Sequence, residues 1–282
     1  MSPRRGRTAL LAALLTATAA TATTTAPAGA ATAVPAFDHI VLVMFENHSY
    51  GQINGSSSAP YLNSLAGQGA KFTASYAVTH PSQPNYIALF SGSTQGVTSD
   101  SCPKTFSGTN LGSQLIGAGR TFTGYSEGMP SDGYTGCSSG NYQRKHNAWV
   151  DFTNVPASSN RTYAAFPADY TTLPAVAFIT PDMCHDMHDC SVSTGDTWAR
   201  ANLDAYAQWA KTHNSLLIVT FDEDNSLSGN HIFTAFVGAH VRTGSYGERI
   251  THYTVLRTIE AAYGLPGINN AASLSPILDV WQ

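Results

Sequence analysis

Three apolar runs punctuate the chain: Ile40–Phe45, Ala175–Ile179 and Leu216–Phe221. None alternates with polar residues, so each predicts a strand covered on both faces. A shorter run of the same kind, Phe233–Val237, follows the third. Between the runs lie segments with helical character. Pro60–Ala66 and Tyr86–Phe90 are short, and 197–213 is the longest, with Asp196 placed as its N-cap. His252–Tyr263 is amphipathic and stops at Gly264, with Pro266 beyond. Strands alternating with helices predict an α/β fold whose central sheet is largely parallel and flanked by helices. Residues 91–174 show no clear period and are rich in Gly, Ser, Thr and Tyr. They predict long loops and short strands that cover a site, not a separate domain.

Residues 1–33 read as an export leader. Arg4, Arg5 and Arg7 precede a small, apolar stretch from Ala9 to Ala20, and Ala31-Thr32-Ala33 fits a small-residue cleavage site. The apolar core is too short to span a bilayer. Residues 34–282 are enough for one sizeable core and are read as a single secreted domain. The chain has 14 Lys and Arg against 18 Asp and Glu. Losing the leader's three arginines leaves a mature charge of −7, which argues against nucleic acid as a partner. Four cysteines in an exported chain read as disulfides, with three pairings open. Cys102–Cys137 with Cys184–Cys190 is favoured, because the second pair closes a short loop rich in His and Asp.

In parallel sheets, ligands bind beyond the carboxyl ends of the strands. Two acidic clusters fall there: Glu46-Asn47 after the first run and Asp222-Glu223-Asp224 after the third. Adjacent acids repel, and a cation among them relieves the cost. Oxygen ligands suit a hard divalent ion, so Glu46, Asn47, Asp222 and Glu223 are the expected metal ligands. Ser82 stands just before Pro84-Asn85 and a helical run. A hydroxyl at a helix N-terminus lies where backbone N–H groups and the helix dipole favour a phosphate. The segment 182–190 packs His185 and His188 among three aspartates; His185 reads as an exposed loop residue. Arg144-Lys145-His146 is the densest basic cluster of the mature chain, suited to an anionic substrate or to plain solvation. His80, His231 and His252 are further histidines of interest.

Taken in order, Glu46–Tyr50, Pro81–Tyr86, Asp186–Asp189, Phe221–Glu223 and His252–Glu260 resemble the phosphoesterase family of bacterial and fungal acid phosphatases and non-specific phospholipases C. The resemblance spans residues 37–265 and implies an alkaline-phosphatase-like fold, with 34–282 as one phosphoesterase domain. It implies Ser82 as nucleophile and one divalent ion (Mg, Ca, Mn or Zn) on Glu46, Asn47, Asp222 and Glu223. It also implies His188 at the phosphate and a catalytic role for His252. Asn47, His80, Asn85, Lys145 and His146 complete the expected substrate side. A sulfatase fits less well, because no Arg completes an x-Pro-x-Arg after Ser82.

The expected activity is phosphomonoester hydrolysis through a phosphoserine, by a monomer acting on a small phosphorylated substrate. Two alternatives stand beside it. One is a phosphodiesterase or phospholipase C that meets a lipid surface transiently. The other is an exported binding protein with the same fold and no turnover.

Overall fold

The computed structural model describes residues 1–3 and 33–282. The leader expected over 1–33 lies, apart from its ends, outside the described residues. β1 (His39–Phe45) leads through α1 (Tyr50–Ile53) and α2 (Pro60–Ala66) to β2 (Ala70–Tyr76). α3 (Ser82–Ser91), α4 (Leu111–Gly117) and β3 (Phe122–Ser126) follow. A small hairpin, β4 (Ser138–Ser139) with β5 (Tyr142–Gln143), precedes β6 (Asn160–Thr162) and β7 (Val176–Thr180). The chain then runs through α5 (Val192–Ala210), β8 (Ser215–Phe221) and β9 (His231–Gly238). It continues into β10 (Gly244–Tyr246), β11 (Ile250–Thr251) and α6 (His252–Ala262).

Nine strands form one mixed sheet in the order β10-β2-β9-β8-β1-β7-β3-β6, with β11 also on β2. Among the described residues of this sheet, β9 alone runs against its neighbours. β1 lies near the middle, parallel to both β7 and β8. Its side chains alternate between two cores. Ile40, Leu42 and Met44 face the layer that holds α3, α4 and α6. Val41, Val43 and Phe45 face the layer that holds α2 and α5. Both faces are dry, which is why β1 carries only apolar residues from Ile40 to Phe45.

Several expectations need correction. β2 was not foreseen, and β3 was expected only as an unplaced short strand within 91–174. β2 has no continuous apolar run, and the central Gly124 of β3 looks like a breaker. A Cβ at Gly124 would stand 2.0 Å from Trp149 Cε2, so glycine is what lets that indole lie flat on the strand. α5 starts at Val192, capped by the Ser191 hydroxyl on the Thr194 N–H. Asp196 lies inside α5, and its carboxylate accepts the N–H groups of Tyr61 and Leu62 at 3.0 and 2.8 Å. It therefore caps α2, not its own helix. α3 begins at Ser82, four residues before the expected start. The two disulfides formed are Cys102–Cys137 and Cys184–Cys190.

Candidate active site

β1 and β8 are paired in register from His39 opposite Ser215 to Phe45 opposite Phe221. The next residues, Glu46 and Asp222, consequently emerge side by side. The Asp222 N–H donates to the Phe45 carbonyl, and the Asn47 N–H donates to Asp222 Oδ1, both at 2.9 Å. Asn47 holds a left-handed φ of 55°, a conformation asparagine tolerates better than most L-residues, and the chain turns there.

α3 brings the hydroxyl. Ser82 is its first residue and is almost fully buried. Ser82 Oγ donates to Glu46 Oε2 at 3.0 Å and lies 3.3 Å from Glu223 Oε1. A hydroxyl has one proton, so it can serve only one of these carboxylates at a time. The Gln83 N–H at the same helix start donates to Asp100 Oδ1, and Asp100 pairs with Lys145 at 3.0 Å. Lys145 is thereby held beside the N-terminus of α3.

Crowding shapes the charges. Burial, then the neighbouring Asp222 and Asp186, raise the Glu46 carboxyl well above the usual carboxylate range. Burial lifts Asp222 to about 6 against the Asn47 N–H that stabilises its charge. Burial, with Asp222 adding, lifts Glu223 to about 8. Asp222 Oδ2 and Glu223 Oε2 are buried with no hydrogen-bond donor. His80 Nδ1 approaches Glu223 Oε2 at 2.6 Å without forming a directed hydrogen bond. Acceptor oxygens of Glu46 and Glu223 meet at one hydroxyl, and Asp222 Oδ2 and Glu223 Oε2 lack donors, a chemistry that suits a divalent cation. Asp224, next in the chain, faces away and accepts the N–H groups of Ser226, Ser228 and Asn230.

The histidines divide by environment. His188 is partly exposed at the rim, with Nδ1 held by Asp189 Oδ1 at 2.7 Å. His80 bridges Glu223 and Asp224. His252, the first residue of α6, is buried, and burial lowers it to about 4. Its Nε2 lies 2.7 Å from the Asp222 carbonyl. A carbonyl only accepts, so Nε2 carries the proton. His252 thus meets the end of β8 through Nε2, while its Nδ1 is buried without a hydrogen-bond partner.

Two residues expected on the substrate side are buried. Asn85 is fully buried; its Oδ1 accepts the Val78 and Thr79 N–H groups, and its Nδ2 donates to the Thr79 and Pro81 carbonyls. His146 is 1% exposed and sits behind Glu46, stacked on Tyr86. Of the basic cluster, Arg144 is a buried strut paired with Asp151 at 2.9 Å.

Sequence reasoning missed Tyr86, whose hydroxyl donates to Glu46 Oε1, and Asp100. Tyr86 follows Ser82 by four residues, so one face of α3 aims both hydroxyls at Glu46, a spacing visible in the sequence. Asp100 had no such signal. A second cluster, Glu127, Asp182 and His185, lies apart from the site. Its carboxylates already accept from the Trp198 indole, the Asp182 N–H and the Cys184 and His185 N–H groups, which marks a structural network.

A buried hydroxyl thus lies against the Glu46 and Glu223 carboxylates, beyond the ends of the parallel strands β1 and β8. The chain belongs to the Phosphoesterase family, whose model matches residues 56–266. It is 51% identical over 255 residues to a phosphatidylinositol-3-phosphatase of Mycobacterium tuberculosis, covering 89% of this chain and 85% of that one. It is 31% identical over 266 residues to an acid phosphatase of Aspergillus fumigatus, covering 87% of this chain and 59% of that longer enzyme. A solved protein of the alkaline phosphatase superfamily from Vibrio parahaemolyticus shares the fold, with a TM-score of 0.60 at 14% identity over 88% of this chain and 72% of that one. The chain is a hydrolase acting on phosphoric ester bonds.

Proposed function

We propose that this protein is an exported, metal-dependent phosphomonoesterase that turns over through a phosphoserine on Ser82. The observation that carries the reading is the Ser82 hydroxyl, buried at a helix start and in contact with the Glu46 and Glu223 carboxylates at 3.0 and 3.3 Å. Glu46, Asn47, Asp222 and Glu223 would hold one divalent ion with Ser82; oxygen donors leave Mg, Ca and Mn as first choices, with Zn also possible chemically. Such an ion favours the serine alkoxide and offsets charge on the phosphoryl oxygens.

The chain's own groups do the rest. Ser82 Oγ bonds to phosphorus as the bond from phosphorus to the leaving oxygen breaks. Its proton has two carboxylate acceptors in place, Glu46 Oε2 and Glu223 Oε1. His188, oriented through Nδ1 by Asp189, presents its other nitrogen as proton donor to the leaving oxygen. Lys145, held beside the start of α3, attracts the anionic group. Water then attacks the phosphoserine and restores the hydroxyl.

A close relative named for an inositol-lipid monoester supports headgroup phosphates among the substrates, reached at a membrane surface, besides small soluble phosphates. Two disulfides support export, since such bonds persist in oxidising compartments. The deciding assay compares p-nitrophenyl phosphate, bis-p-nitrophenyl phosphate and phosphatidylinositol 3-phosphate in vesicles, with and without chelator. Hydrolysis of the monoesters, lost on chelation, is expected; preference for the diester would reverse the assignment. Ser82→Ala should lower kcat by roughly three or more orders of magnitude, as loss of an enzymic nucleophile does, with an unchanged melting temperature.

A further inference from the structure

Glu46 divides its two oxygens between two environments. Oε2 meets Ser82, while Oε1 accepts the Tyr86 hydroxyl and lies 3.2 Å from His146 Nε2. The other nitrogen of His146 is 3.4 Å from Asp186 Oδ2. Tyr86 and His146 stack with ring centroids 5.0 Å apart and planes 15° apart. Asp186 closes the arrangement: its carbonyl accepts the Glu46 N–H at 2.8 Å, and its Oδ1 accepts the His188 N–H at 2.8 Å. Glu46 and Asp186 are fully buried and His146 nearly so. His146 Nε2 and Asp186 Oδ2 have no directed hydrogen bond, so two buried polar atoms point at this spot without a full partner. A buried polar group without a partner is costly, and its retention calls for an explanation.

We propose that Tyr86, His146 and Asp186 are positioning residues that lock Glu46 so that only Oε2 reaches Ser82 and the ion. The terminal torsion of a glutamate is broad, so an unsupported carboxylate can swing either oxygen forward. The Tyr86 hydroxyl on Oε1 removes that freedom; the His146 ring stacks on Tyr86 and packs within 3.2 Å of the same oxygen, with Asp186 Oδ2 3.4 Å behind it. The arrangement follows the general logic by which groups behind a metal ligand set its orientation and basicity. The inference rests on the metal dependence proposed above.

The test uses the full chain and its Tyr86→Phe, His146→Gln and Asp186→Asn variants. Each is freed of metal, titrated with Mn²⁺ by calorimetry, assayed with p-nitrophenyl phosphate and melted thermally. One Mn²⁺ per wild-type chain is expected, with about 10- to 100-fold weaker binding in each variant, the usual effect of losing such a partner. At saturating Mn²⁺ kcat should fall while KM stays unchanged, a split that general loosening of the fold would not give. Tyr86→Phe keeps the ring and its stacking and decides the matter alone if the other variants do not fold. Folded variants with wild-type Mn²⁺ affinity and kcat overturn the inference and leave the parent reading intact. Two Mn²⁺ per wild-type chain, falling to one in His146→Gln and Asp186→Asn, also overturn it, because the trio would then be a ligand set. A wild-type chain that binds no ion overturns both readings together.

Discussion

Asn85 lies three residues after Ser82 and is as deeply buried, yet it faces the loop before the helix. Its amide makes four hydrogen bonds to the backbone of residues 78–81. Asn85→Ala leaves those groups without partners and should cost roughly 2–4 kcal/mol, several bonds of about 1 kcal/mol each plus the unpaired groups. A drop in denaturation midpoint, with KM for p-nitrophenyl phosphate unchanged in the folded fraction, is the expected result; a raised KM without loss of stability would return Asn85 to the substrate side. The contrast with Glu46, Ser82, Asp222 and Glu223 is physical. Those four were legible because each follows a local cue, a strand end or a helix start. Whether an amide beside them faces substrate or backbone depends on where the preceding loop folds, and no local pattern encodes that.

The same division appears in the elements. β1, β7 and β8 were legible because strands buried on both faces carry unbroken apolar runs. β2 alternates buried and half-buried positions over only part of its length, and β3 hides behind Gly124, so their strand character arises from neighbours. Asp196 is the clearest case. It has the residue type of an N-cap and sits near a helix start, but the helix it caps is α2, 135 positions back in the chain at Tyr61. Asp196→Ala should therefore destabilise the protein by about 1–2 kcal/mol, as loss of a capping carboxylate does. Hydrogen exchange is the sharper measurement: protection should fall at Tyr61 and Leu62, not in the first turn of α5. Exchange that rises in α5 alone would contradict this assignment.

For the whole molecule, the buried acids set how stability varies with pH when no ion is bound. Burial holds Glu223 and Asp186 near 8, against ordinary values of 4.5 and 3.8. Their native pKa values are raised, so the folded state keeps protons that the unfolded chain has lost. The stability they contribute is full below pH 4 and is lost as pH rises towards 8. His252 has the opposite sign: burial lowers it to about 4 from 6.5, so its penalty disappears as pH rises to 6.5. The two acids outweigh the one histidine, so the melting temperature of the chelated protein should be highest near pH 4 and fall towards pH 8. Divalent ions should raise it, most strongly at pH 8, where fewer protons compete for the same oxygens. Melts across pH 4–8 with chelator or Mn²⁺ check this, and an ion-independent profile would contradict a cation site among these residues.

By itself the sequence determined the sheet's central strands, the acids at two of their tips and the serine at a helix start, because burial on both faces, strand termination and helix initiation are written in neighbouring residues. Tertiary structure alone decided that Phe45 stands opposite Phe221, which sets Glu46 beside Asp222. It also decided that His146 turns inward behind Glu46, that Asp196 caps a helix other than its own, and that the loop residue Asp100 meets the start of α3. Those outcomes depend on register and packing between segments far apart in the chain, where a contact is settled by which surfaces meet and not by which residues are adjacent.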